Sequence, residues 1–199
     1  MKFTKVSYAQ IQGPRNYQQD RYLIKKNLLA VADGMGGHKN GDLAAQEIVD
    51  QLNEIDDVSE ALEKANFNCY KSNDGRGSTV VVCTIKDDML HVDQCGDSRV
   101  YLYFENTLKQ LTKDQGYGHI LHNFVGDYLY LGLHKKVGIS PGNIVLLTTD
   151  GIHDYLDHEK MLEIVSSLKD SPEKISEALI EACRDKTQDN CTIVCARIE

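Results

Sequence analysis

The chain has 199 residues, 41% of them hydrophobic and 26% charged, an ordinary globular balance with enough length to bury a core. Thirty acidic residues against 22 Lys and Arg give a net charge of -8, which argues against a nucleic-acid partner, since neutralising phosphates needs clustered cations. No run approaches the ~20 apolar residues that cross a bilayer, and the first twenty residues lack the apolar stretch of a secretion signal.

The amino-terminal segment 3–11 alternates in polarity and reads as an edge strand. Segments 21–24 and 28–32 flank a Lys-Lys-Asn turn and read as a hairpin. Residues 42–55 space Leu43, Ala44, Ile48, Val49, Leu52 and Ile55 as one helix face, and 58–70 do the same with Ala61, Leu62, Ala65 and Cys69. A loop, "SNDGRG", then precedes a buried strand at 79–85, "TVVVCTI". Further strands are expected at 90–95 and 99–104, with a short one at 107–111, and 116–125 reads as irregular. A buried strand "IVLLT" at 144–148 leads to two amphipathic helices, 158–168 and 172–184, and to a final strand at 191–198. Regular strand-helix-strand alternation is absent. The order therefore favours an α+β fold of two packed antiparallel sheets with helix pairs outside, without repeat, low-complexity segment or interdomain linker.

Cys69, Cys83, Cys95, Cys183, Cys191 and Cys195 form no Cys-x-x-Cys pair and mostly sit in apolar stretches. They read as buried thiols in a reducing compartment, and the expected location is the cytoplasm.

Five aspartates occupy one kind of place. Asp20 precedes the strand "RYLI", Asp33 follows "LLAVA", Asp97 follows "HVDQCG", Asp150 follows "IVLLTT", and Asp189 stands just before the last strand. Any one alone reads as a turn or cap residue. Five at strand ends that converge would repel one another unless a cation lies among them, and no Lys or Arg cluster is interleaved. Oxygen-rich sites suit Mg²⁺ or Mn²⁺, whereas zinc spacing of Cys and His is missing. Gly34 lets backbone pass close enough for its carbonyl to reach an ion. The glycine-rich run 34–41 lacks the ending of a P-loop and the spacing of a dinucleotide fingerprint. Arg15 adds a guanidinium fork suited to a phosphate dianion.

These pieces, in this order, resemble the type 2C protein phosphatases, the PPM-type metal-dependent Ser/Thr family. The matching segments are "RNYQQD", "VADGMGGH", "GSTVVV", "CGDSRVYL", "LTKDQ", "LLTTDGIHD" and "QDNCTIV", which run through nearly the whole chain, and the likeness is greatest to compact bacterial members. The resemblance implies one domain over residues 1–199 with a four-layer α-β-β-α sandwich, its two antiparallel sheets flanked by antiparallel helix pairs. It implies a site in which Asp33 bridges two Mn²⁺ or Mg²⁺ ions, the Gly34 carbonyl completes one, Asp150 and Asp189 hold the other, and Asp20 acts through water. Arg15 would bind the substrate phosphate, and Asp97 and Asp154 match positions holding a third, looser ion in bacterial members. The implied activity is hydrolysis of phosphoserine and phosphothreonine by a water activated between the two metals, in opposition to a Ser/Thr kinase. The implied partners are phosphoproteins and that kinase or its substrates, with no nucleic acid or membrane. A monomer is the default, since no apolar helix face stands out unpaired. A Cys-x5-Arg nucleophile motif is missing.

The departures are specific. Gln19 stands where many members have Glu, removing a negative charge and predicting weaker metal affinity. Met35 stands where some eukaryotic members have His, so no general acid is assigned there; His38 reads as solvated. Only seven residues, 116–122, separate "LTKDQ" from "NFVGDY", a shortened flap that includes His119 and His122 and predicts an open cleft with weak sequence selectivity. Two other readings stay open: a catalytically silent phosphatase-like signalling domain, and a phosphatase of small metabolites.

Overall fold

The computed structural model describes residues 1–35, 40–117 and 120–199. Twelve strands and five α-helices are found among them. They are β1 (Phe3–Ile11), β2 (Arg21–Lys25), β3 (Leu28–Ala32), α1 (Gly41–Glu54), α2 (Val58–Ser72), β4 (Val80–Lys86), β5 (Met89–Cys95) and β6 (Arg99–Phe104). The chain continues with β7 (Thr107–Gln110), β8 (Gly116–Tyr117), β9 (Ile120–Leu121), β10 (Leu133–Gly138), β11 (Ile144–Thr148), α3 (Asp150–His153), α4 (His158–Ser167), α5 (Ile175–Cys183) and β12 (Cys191–Ile198).

One five-stranded sheet has the order β1-β12-β11-β6-β7 and the other β10-β5-β4-β3-β2; β8 and β9 make a separate hairpin. Every pairing is antiparallel. The central strands are apolar on both faces because each sheet is covered twice. In β11, Val145 and Leu147 face the opposite sheet, while Ile144 and Leu146 face α3–α5. In β4, Val81, Cys83 and Ile85 face inward, and Val80 and Val82 meet α1 and α2. Period-2 alternation thus persists with apolar groups on either side, giving continuous runs such as "IVLLT". Three apolar layers result, one between the sheets and one under each helix group, which is the expected α-β-β-α order.

Local chemistry agrees at the helix starts. The Asp57 carboxylate accepts from the Glu60 N–H at 3.0 Å and the Asp157 carboxylate from the Lys160 N–H at 2.7 Å, each satisfying an otherwise orphaned donor. Two hairpins turn through Asp87–Asp88 and Glu105–Asn106, whose positive φ angles match the twist of two-residue turns.

Three features differ from the sequence expectation. Segment 116–125, expected to be irregular, contains the β8–β9 hairpin. The 172–184 helix begins as a 3-10 turn at Pro172–Lys174 before α5. Strand β10 was not anticipated at all, because "LHKKVG" is largely exposed and carries little apolar pattern; it is held by its ladder to β5, and Lys135 and Lys136 keep the sheet edge charged. No helix among the described residues is long and apolar enough to cross a membrane.

Candidate metal centre

The carboxylates of Asp20, Asp33, Asp150 and Asp189 come from four separate strand ends and meet at one end of the sandwich. Asp33 leaves β3, and its backbone carbonyl accepts from Thr79 N–H at 2.9 Å and Ser78 Oγ at 2.8 Å. Gly34 then bridges to Ser78, and a Cβ there would collide with the Gly41 carbonyl, so the residue must be glycine for the chain to close on the start of α1.

Asp20 is 1% exposed, and its Oδ2 accepts from Thr192 Oγ1 at 2.6 Å and Thr149 Oγ1 at 3.0 Å. Asp150 opens α3 directly after β11. Asp189 lies in the turn before β12; its Oδ1 accepts from Asn190 N–H at 2.8 Å and its Oδ2 from Arg15 Nη2 at 2.6 Å. Arg15 Nε also donates to the Gln188 carbonyl at 3.1 Å, leaving the guanidinium half-exposed beside the cluster. Asp97, in the turn between β5 and β6, adds its charge to that of Asp150, and Asp154, at the end of α3, acts on Asp97.

The electrostatics follow from burial without compensation. Burial, then the charges of Asp20, Asp150 and Asp189, push the Asp33 carboxyl well above its ordinary range. Burial and the charge of Asp189 raise Asp150 to about 8. Burial raises Asp20 to about 6 against the opposing pull of its threonine hydrogen bonds, and burial with the charge of Asp114 raises Asp97 to about 6. Among the described residues, no Lys, Arg or His forms an ion pair with Asp20, Asp33, Asp97 or Asp150.

Asp33 faces both Asp150 and Asp20, and among the described residues no counter-charge lies between them. No three Asp, Glu, His or Cys side chains among the described residues are already arranged as a ligand cage. A divalent cation nevertheless suits the donor set: Asp20 Oδ1 and Asp150 Oδ1 are buried oxygens without a partner, and all the charged donors are hard carboxylates. Gln19 is also buried, and its Nε2 lacks a partner.

Sequence reasoning missed the neutral residues that hold this cluster. Thr149 and Thr192 grip Asp20. Asn190 accepts from the Gln19 N–H at 2.8 Å and donates to the carbonyls of Gln12 at 2.7 Å and Tyr17 at 3.2 Å, tying the Arg15 loop to β12. The only available signal was the adjacency of Thr149 and Asn190 to aspartates in "TTD" and "QDN"; Thr192 had none. His38, with residues 36–39 of the glycine-rich run, and His119 lie outside the described residues, while His122 is exposed.

Comparison with known proteins shows what the chain is similar to. The family model described as Protein phosphatase 2C matches residues 3–117. The serine/threonine protein phosphatase PstP of Mycobacterium tuberculosis is 26% identical over 227 aligned positions, covering 91% of this chain and 44% of PstP. The chain thus spans less than half the length of that relative. The serine/threonine phosphatase stp of Listeria monocytogenes is 26% identical over 226 positions, covering 90% of each protein. Both alignments are longer than the chain, so these relatives carry residues it lacks. In fold, the crystal structure of Mycobacterium tuberculosis PstP superposes with a TM-score of 0.91 at 23% identity, over 100% of both chains. The PstP catalytic domain in complex with two manganese ions gives 0.90 at 23% identity, over 99% of both.

Proposed function

The chain belongs to the protein phosphatase 2C family, and from that premise we propose that residues 1–199 form one domain that hydrolyses phosphoserine and phosphothreonine in proteins, using Mn²⁺ or Mg²⁺ held at the Asp33 cluster. The observation that carries this reading is a set of converging carboxylates in which Asp20 is buried and Asp33 and Asp150 half-buried, with an orphaned oxygen on Asp20 and on Asp150 and no basic partner to these three among the described residues. Asp33, Asp150 and Asp189, with the Gly34 carbonyl, would hold two ions; Asp20 would act through water, and Asp97 and Asp154 would take a third. When bound, such ions supply Lewis acidity and lower the pKa of a coordinated water toward 7.

The chain's own groups prepare the rest. Thr149 and Thr192 fix Asp20 in one orientation. Asn190 anchors the loop that presents Arg15, and Asp189 with the Gln188 carbonyl holds the guanidinium on one side, so its remaining N–H groups are directed to phosphate oxygens. The domain would act in the cytoplasm, as a monomer, on proteins phosphorylated by a Ser/Thr kinase.

The test is release of phosphate from a phosphothreonine peptide and from p-nitrophenyl phosphate, with Mn²⁺, with Mg²⁺ and with EDTA. Metal-dependent release from both, lost in EDTA, is the expected result. Release from small esters but not from phosphopeptides would move the assignment to a metabolite phosphatase. No release from folded protein would identify a silent signalling domain.

A further inference from the structure

Two histidines and an aspartate share the outer face of the β10–β5 edge, away from the carboxylate cluster. In β5, Leu90 and Val92 pack between the sheets, so His91 and Asp93 point the other way by the alternation of a strand. His134 of β10 stands opposite Asp93 in the ladder and diagonal to His91, which pairs with Lys136. The His134 Nδ1 lies 2.7 Å from Asp93 Oδ1, and the His91 and His134 rings have their centres 5.3 Å apart, tilted by 56°.

That spacing has a chemical meaning. Two imidazoles bound at about 2.0–2.1 Å to one tetrahedral ion hold their ring centres about 5 Å apart. Asp93 completes the arrangement from behind. It accepts from the Nδ1–H of His134, which leaves the lone pair on Nε2, as in the carboxylate–histidine–zinc pairing. Burial, then the charges of Lys136 and His134, hold His91 below its ordinary range, so its ring is neutral at pH 7 and has a lone pair to give.

The three side chains line a cleft of about 480 Å³ that is also lined by Asp57, at the start of α2. The Asp57 charge reaches Asp93, so negative charge offsets that of Lys86 and Lys136 near His91. The same cleft touches Leu28 and Lys86, at the ends of β3 and β4 opposite to those that meet Asp33. Among the described residues no third Asp, Glu, His or Cys joins the two rings as a ligand, so water would complete the coordination. Spacing along the chain could not reveal the pair, because the two rings come from different strands.

We propose that His91 and His134 form a Zn²⁺ site separate from the Asp33 cluster, with Asp93 as the carboxylate that orients His134. The ion would tie the side chains of edge strand β10 to β5, and it would bind whether or not the cluster takes Mn²⁺.

The experiment titrates Zn²⁺ by calorimetry into the folded chain with Mn²⁺ in excess, for wild type, His91→Gln, His134→Gln and Asp93→Asn. Wild type should bind one Zn²⁺ more than either histidine variant, and Zn²⁺ should raise its Tm above theirs. Asp93→Asn should bind the same number of ions as wild type, with affinity weakened about tenfold or more. A second measurement needs no variant: Zn²⁺ should protect His91 and His134 of wild type from diethyl pyrocarbonate, mapped by mass spectrometry. Equal Zn²⁺ binding by wild type and both histidine variants, or modification of His91 and His134 that Zn²⁺ leaves unchanged, would overturn the proposal. Unchanged affinity in Asp93→Asn would overturn the orienting role.

Discussion

Asp33 concentrates the conflict on which the site is built. It lies half-buried among the charges of Asp20, Asp150 and Asp189, and among the described residues no Lys or Arg pairs with its ionised form. Replacing it with Asn should have two opposite effects. Turnover should fall by at least about a thousandfold and Mn²⁺ affinity should weaken, because a cation ligand is lost. In EDTA the same variant should be more stable than wild type by about 1 kcal/mol or more, a Tm rise of about 2–4 °C for a chain of this length, since an amide can donate to the carboxylates it faces. Near wild-type activity in Mn²⁺ would sink the site assignment. The pH dependence has a definite sign. Asp20 and Asp150 titrate at about 6 and about 8 in the folded chain, and unfolded aspartate titrates at about 3.9. Between those values the folded chain retains protons that the unfolded chain has released. The stability they contribute is complete at the acid end and declines as pH rises through the window. His153 works the other way. Burial holds its pKa well below 6.5, so its contribution is present above 6.5 and lost as pH falls. It is common to wild type and variant. In EDTA, wild-type Tm should therefore fall more steeply than that of Asp33→Asn between pH 5.5 and 8, and parallel melting curves would refute the coupling.

At the scale of elements, the site depends on how strand ends are tied together, and there the neutral residues decide. Asn190 joins β12 to loop 12–19 through three hydrogen bonds, one of them to the N–H of buried Gln19. Asn190→Ala would leave that donor unsatisfied and free the loop carrying Arg15. We expect a loss of about 2–4 kcal/mol in urea unfolding, together with a raised KM for p-nitrophenyl phosphate. A raised kcat with unchanged KM would argue against Arg15 as the phosphate-binding group. Such residues were hard to read in the sequence for a physical reason. The buried strands announce themselves through apolar periodicity and the aspartates through charge, so both the sandwich and the carboxylate set were legible. Thr149, Thr192 and Asn190 carry neither signal, because their roles arise only when β11 and β12 lie in register. Strand β10 escaped for a related reason: its ladder to β5 is a backbone interaction, and its exposed side chains leave no pattern.

For the molecule as a whole, rigidity and exposure are divided between the two sides of the site. Four strand ends and two threonines form its floor, all anchored in the buried sandwich. Taken as its margin, the strands β8 and β9 expose Tyr117 and Ile120 by 85% and 68%, and the following loop exposes Tyr128, Leu129 and Leu131. That loop reaches the floor through the bridges joining Val125 to Ser78 and Ser78 to Gly34. Selectivity for substrate sequence requires side-chain pockets that penalise the wrong residue, by leaving polar groups unpaired or apolar surface uncovered. Exposed apolar groups on a short margin would offer general affinity for a chain passing over them rather than pockets that discriminate. Across a panel of unrelated phosphothreonine peptides, kcat/KM should accordingly vary by less than about a thousandfold, and peptides with apolar flanking residues should gain mainly through lower KM. A single peptide preferred beyond that range would mean that the short margin does build a selective pocket, and the weak-selectivity expectation would be wrong.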